Sequence, residues 1–103
     1  MSGYRAKGDL CLILLTYVAA IEDVDALMPA HVEWLESAMR EGAFLVAGRR
    51  NPRTGGVILA RGTATQVEAI AATDPFVTGR VATAEVIAFN ASFAQPALAD
   101  LLA

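Results

Sequence analysis

One imidazole and one carboxylate, distant in the chain, carry the chemistry this sequence is equipped to do. His31 is the sole histidine, and imidazole is the side chain whose ordinary pKa lies near neutrality, which suits it to take or give a proton. It falls in Met28-Pro29-Ala30-His31, four residues before Leu35 and seven before Ala38, so a helix puts it at the N-terminal end of an apolar stripe. Two readings follow: a core histidine with satisfied nitrogens, or a general acid or base that needs a partner to orient its ring. Asp74, in Asp74-Pro75-Phe76, supplies that partner if the fold brings the two together. A buried carboxylate on one ring nitrogen fixes the tautomer and stabilises imidazolium, leaving the other nitrogen free for a proton. The plainer reading of Asp74-Pro75 is a helix stop. If His31 moves protons, leucine in its place relieves the desolvation of a buried ionisable ring, and the melting temperature is expected to hold or rise.

Composition narrows the classes of function. With 103 residues, 55% of them hydrophobic and 18% charged, the chain fits one globular domain. A net charge of −3 leaves no basic stripe for a phosphate backbone, and Arg49, Arg50 and Arg53 are outweighed by eleven acidic residues, so no nucleic-acid partner is expected. The single cysteine, Cys11, lies in an apolar run and reads as a small buried hydrophobe in a reducing compartment. That run, Leu10 to Ala20, follows Arg5 and Lys7 and imitates a signal peptide. Asp9 abuts it, Thr16 and Tyr17 interrupt it, and it is short of the roughly 20 residues of a membrane span. The expectation is therefore a strand in a cytoplasmic protein without a membrane partner.

The elements that must position His31 and Asp74 are signalled locally. Residues 1–9 lack periodicity and are expected to be loose; Leu10 to Leu15 form a first strand apolar on both faces. A polar link from Ala20 to Leu27 precedes a helix opened by Pro29 and closed at Glu41-Gly42, with Val32, Leu35, Ala38 and Met39 apolar. Phe44 to Arg49 and Val57 to Arg61 flank the turn formers Asn51-Pro52-Arg53-Thr54-Gly55-Gly56 and read as a hairpin. Thr65 stands three residues before Glu68, the spacing of a capping box, and opens a second helix to about Thr73 that Asp74-Pro75 stops. Val81 to Phe89 make a fourth strand, and Phe93, Leu98, Leu101 and Leu102 around Pro96 form a short docked helix in an apolar tail, residues 91–103.

This order is α+β, the ferredoxin-like βαββαβ arrangement with a four-stranded antiparallel sheet over residues 10–90. Right-handed crossovers then bring Tyr17, His31, Arg49 and Asp74 to one end of the fold. Two helices cover one sheet face only, while the first three strands are apolar on both. An open face with six to eight large apolar side chains forgoes about 10 to 20 kcal/mol of burial. A second copy packed sheet on sheet is the simplest cover.

The motifs Pro29-Ala30-His31, Glu41-Gly42 with Phe44-Leu45-Val46-Ala47-Gly48, and Asp74-Pro75-Phe76-Val77, in that order, resemble the YCII-related family across Leu10 to Phe89. The resemblance implies a dimeric α+β barrel, a homodimer through the open sheet face, and an active-site pair that carries over to His31 and Asp74. The chain departs from the family where members often place a proline before an aromatic at the end of the last strand; here stand Ala88-Phe89. Some family members eliminate chloride from chlorinated hydroquinones, so the resemblance implies acid-base, lyase or dehydrochlorinase-like chemistry on a small aromatic or carbonyl-containing ligand. In that reading Arg49 faces a developing oxyanion, and Tyr17 and Phe76 form walls; a solvated hairpin charge is the alternative for Arg49. Without a glycine-rich phosphate loop, and with one histidine and one cysteine, no cofactor and no metal site are expected. The rival reading is a noncatalytic binding or accessory module on the same fold.

Overall fold

The computed structural model describes residues 9–102. The loose N-terminus expected from the sequence falls on residues 1–8, outside the described residues, whereas Asp9 opens the first strand. The elements run β1 (Asp9–Tyr17), α1 (Ile21–Arg40), β2 (Phe44–Arg49), β3 (Gly55–Arg61), α2 (Ala64–Ala71), α3 (Pro75–Thr78), β4 (Ala82–Asn90) and α4 (Pro96–Leu102). The strands form one four-stranded sheet in the order β2-β3-β1-β4, antiparallel throughout. This is the α+β, ferredoxin-like arrangement anticipated from the order of elements.

The helix that carries His31 is longer than its local signals indicated. The segment read as a polar link is its first two turns, and Pro29 lies inside it. The cause is a seven-residue recurrence: Val24, His31 and Ala38 are all buried, and Leu27, Met28, Trp34 and Leu35 fill the stripe between them. Glu22 and Asp23 in the first turn suit the positive end of the helix. Pro29 is exposed, so the carbonyl it leaves without a helical donor, that of Asp25, lies on the wet side. At the other end Gly42 takes φ +80°, the left-handed closure that glycine adopts without steric cost.

Two further boundaries moved. The second helix opens two residues earlier than expected, because Thr63 and Gln66, not Thr65 and Glu68, form the capping box: the Gln66 amide donates to Thr63 Oγ1 at 3.3 Å and the Thr63 amide to Gln66 Oε1 at 3.0 Å. Both pairs have the same spacing, and burial of Val67 and Ala71 against the sheet selects the register. Asp74 does end α2's path, and it also caps a new helical turn, α3, with Pro75 at its first position.

One face of the sheet packs Cys11, Ile13, Leu15, Ile58 and Ala60 under α1 and α2, together with Ala38, Phe44, Val67 and Ala71. Cys11 is wholly buried, its thiol donating to the Gly62 carbonyl at 3.5 Å. β3 meets β1 closely at Gly55, where a Cβ would overlap the Leu15 carbonyl. The opposite face carries Leu10, Leu12, Leu14, Val46, Val57, Leu59, Ile87 and Phe89 by register. Part of it is covered from within the chain: α4 lies over Leu10, Leu59 and Phe89 and encloses an apolar cavity of about 260 Å³, and Arg61 Nη2 donates to the Leu101 carbonyl at 2.8 Å. The tail is therefore the docked helix expected, and its dock is this face. Val46, Ile87, Phe89, Leu98 and Leu101 stay exposed. No helix among the described residues is long and apolar enough to cross a membrane.

Candidate active site

The site is built on the capped turn at Asp74. Its backbone is extended (ψ 126°) ahead of Pro75, and Oδ1 accepts the Phe76 amide at 2.9 Å. The same oxygen accepts from His31 Nδ1 at 2.8 Å. A carboxylate only accepts, so Nδ1 carries the proton and Nε2 is the nitrogen left for chemistry. Among the described residues nothing hydrogen-bonds Nε2, and it is not among the polar atoms sealed from solvent without a partner. His31 is 7% exposed and Asp74 is fully buried. Asp74 Oδ2 is buried without a hydrogen bond, so the carboxylate relies on Oδ1 alone for its polar contacts.

The cap also aims the aromatic wall. Fixing the Phe76 amide to Asp74 turns the Phe76 ring onto His31, with centroids 3.9 Å apart and planes within 5°. Tyr17 meets the edge of Phe76 at 6.0 Å, and Trp34, one helical turn after His31, lies 5.7 Å from the imidazole. Phe76, Val24, Val81 and Ala82 form a second buried cluster beneath these rings, so the wall is rigidly backed. Trp34 Nε1 donates to Thr73 Oγ1 at 2.9 Å, and the Thr73 hydroxyl donates on to the Ile70 carbonyl at 2.6 Å. α1 and the end of α2 are thereby joined immediately before Asp74. Beyond Trp34 a cavity of about 320 Å³ lies between α1 and α2, lined by Ser37, Glu41, Ile70 and Thr73 among others.

Of the residues singled out from sequence, Tyr17, His31, Asp74 and Phe76 thus form one contiguous group. Arg49 ends edge strand β2 opposite Gly56, on the rung of Leu15 at the hairpin end of the sheet, and is exposed. The cation at Tyr17 is Arg53 from the hairpin, whose guanidinium carbon sits 5.8 Å from the ring centroid. Arg53 Nη2 donates to Asp25 Oδ1 at 2.6 Å, and Asp25 and Tyr17 together hold the guanidinium in its charged form, raising its pKa. Trp34, Thr73, Arg53 and Asp25 escaped the sequence reading. Trp34 had a usable signal in its spacing of three from His31; the ion pair spans separate elements and had none. Among the described residues no group of three or more histidine, cysteine or acidic side chains could hold a metal ion.

A search of curated proteins finds no match. Among solved structures, 5-chloro-2-hydroxyhydroquinone dehydrochlorinase (TftG) from Burkholderia phenoliruptrix AC1100, in complex with 2,5-dihydroxybenzoquinone, is similar with a TM-score of 0.67 and 17% identity, over 79% of this chain and 93% of that one. At that identity the likeness is one of fold. The model of the YCII-related domain matches residues 10–90, well over half the chain, and the order of motifs around His31 and Asp74 agrees with that match: the chain belongs to the YCII-related family.

Proposed function

We propose that this protein is a small acid-base catalyst in which His31, held by Asp74, moves a proton on a small aromatic or carbonyl-containing substrate. The observation that carries the reading is the buried 2.8 Å bond from His31 Nδ1 to Asp74 Oδ1, which leaves Nε2 as the one ring nitrogen without a partner. Oriented imidazole with a carboxylate behind it is suited to take a proton and hold the resulting charge. The stacked Phe76 ring adds a face that favours a cation. The similarity in fold to a dehydrochlorinase supports elimination as the reaction class: a proton goes to Nε2 and chloride leaves with the bonding electrons, so no oxidant is required. The protein acts as a homodimer through the open sheet face, where Val46, Ile87 and Phe89 remain exposed beside α4, and the setting we assign is the cytoplasm.

A noncatalytic binding module is favoured by a different observation, that Asp74 Oδ1 also caps α3 through the Phe76 amide, a duty the fold requires whether or not a substrate is present. Because His31 is the sole histidine, its imidazole nitrogens are unambiguous in a ¹⁵N spectrum. Adding small phenols, hydroquinones or 2,5-dihydroxybenzoquinone is expected to shift Nε2 in the parent, and chloride release from a chlorinated hydroquinone is expected to vanish in Asp74→Asn. Binding that persists without turnover in any variant selects the binding module, and an Nε2 signal unmoved by every compound refutes a substrate at His31.

A further inference from the structure

The aromatic group at His31 extends in one direction to a cation. Rings in contact run from His31 to Phe76 (3.9 Å) and from Phe76 to Tyr17 (6.0 Å), and the guanidinium of Arg53 lies over Tyr17. Arg53 comes from the β2–β3 hairpin and crosses to Asp25, on the same helix as His31. Its side chain is 27% exposed and that of Asp25 is 52% exposed, so this pair sits in water on one side and opens at little cost. The inner side differs: Arg53 Nε is sealed from solvent and donates to nothing. Parting from Asp25 frees Nη2 and leaves Nε still unpaired, so this planar fork, beside a ring that leads to the imidazole, then has donors for an anion.

We propose that Arg53 is the anion-recognising residue of this site, and that Asp25 occupies its guanidinium only until an aromatic substrate presents an ionised oxygen. The inference rests on the reading of His31 as the proton-transfer group of a small aromatic substrate, and it assigns the opposite end of that substrate. The substrate ring lies against Tyr17, with buried Phe76 backing both Tyr17 and His31; its ionised oxygen faces Arg53, and the atom that loses a proton faces Nε2. Arg53 thus selects among aromatic compounds by charge, which the aromatic walls alone cannot do, and Asp25 sets the affinity by competing for the same fork.

Calorimetric titration of the full chain tests this with two probes, 2,5-dihydroxybenzoquinone at a pH where it is ionised and phenol as its uncharged counterpart. Arg53→Gln is expected to weaken binding of the anion by about tenfold or more, the loss of a charge-assisted hydrogen bond. Asp25→Asn is expected to tighten it severalfold, Arg53→Lys to restore part of it, and added salt to weaken it in the parent but not in Arg53→Gln. Phenol should bind all four proteins alike. The proposal is overturned if the anion binds the parent, Arg53→Gln and Asp25→Asn equally well, an outcome that leaves the role of His31 standing. Absence of anion binding in both the parent and Asp25→Asn overturns this proposal as well, and an Nε2 signal that still moves with phenol then keeps the His31 reading separate. A thermal melt of each variant shows that it is folded, and binding by Asp25→Asn alone supports the exchange.

Discussion

His31→Leu should destabilise this protein, although the sequence, on the reading of His31 as a proton-transfer group, pointed the other way. An apolar residue relieves the desolvation of a buried ring, but the structure shows what that ring is holding. Asp74 is fully buried, its Oδ2 has no hydrogen bond, and its Oδ1 is served by His31 and the Phe76 amide only. Leucine at position 31 strands a carboxylate with one donor. Breaking a buried pair by removing one partner costs about 3 to 5 kcal/mol, and the relieved histidine desolvation returns about 1 kcal/mol of that, leaving a net loss of about 3 kcal/mol. In a domain of this length that corresponds to a fall in Tm of about 10 to 20 °C. Asp74→Asn keeps an acceptor for both donors and removes the charge, so it should cost less. In the double variant leucine no longer faces a carboxylate, and the cycle should return a coupling of about 2 kcal/mol or more. Thermal and urea melts of the four proteins decide the matter. A His31→Leu protein that melts within a few degrees of the parent, with a coupling below about 0.5 kcal/mol, would refute the reasoning and show that Asp74 is not held by His31.

Other consequences can be tested on the same preparations. Burial, with Asp9 and Glu68 adding, pushes the Cys11 thiol above its ordinary value, so the folded state holds that proton more tightly; its contribution to stability is complete at neutral pH and is lost as pH rises past about 8.5. Stability of the parent should therefore fall more steeply than that of Cys11→Ala in melts between pH 8 and pH 10, and iodoacetamide should label Cys11 only after unfolding. Gly79→Ala should cost about 1 to 3 kcal/mol by overpacking, because its Cβ would collide with Leu27 Cδ1 and stand 2.8 Å from the Pro75 carbonyl oxygen; a melt within one degree of the parent would show that α3 and α1 can part freely. The homodimer we propose should give twice the chain mass in light scattering at tens of micromolar, and Val46→Glu with Ile87→Glu, both on the exposed sheet face, should yield a folded monomer.

The path of the chain was legible because it is written in local signals that do not compete: β-branched and apolar runs, turn formers at the hairpin, and an order of elements that allows few topologies. Boundaries were less legible where two local signals offered the same motif. Pro29 at a first helical position and Pro29 on the wet face of a longer helix look alike until the buried recurrence of Val24, His31 and Ala38 is weighed. Thr63 with Gln66 and Thr65 with Glu68 are indistinguishable as capping boxes until Val67 and Ala71 are seen against the sheet. At the site, His31 and Asp74 could be paired from topology because the crossovers bring the first helix and the residues after the second to one end of the sheet, even though His31 lies in the middle of its helix and not at the start the sequence indicated. Arg53 could not, since three arginines crowd a short hairpin and only the crossing to Asp25 distinguishes one of them. The apolar tail shows the same asymmetry: its sequence announced a docked helix, but only the sheet face could say where it docks. Residues 96–102 take up part of the surface that a second copy would otherwise cover, while Phe93, Leu98 and Leu101 turn new apolar area outward. The tail thus shifts the apolar surface outward and leaves part of it unburied, which is why self-association remains the expected use of this face.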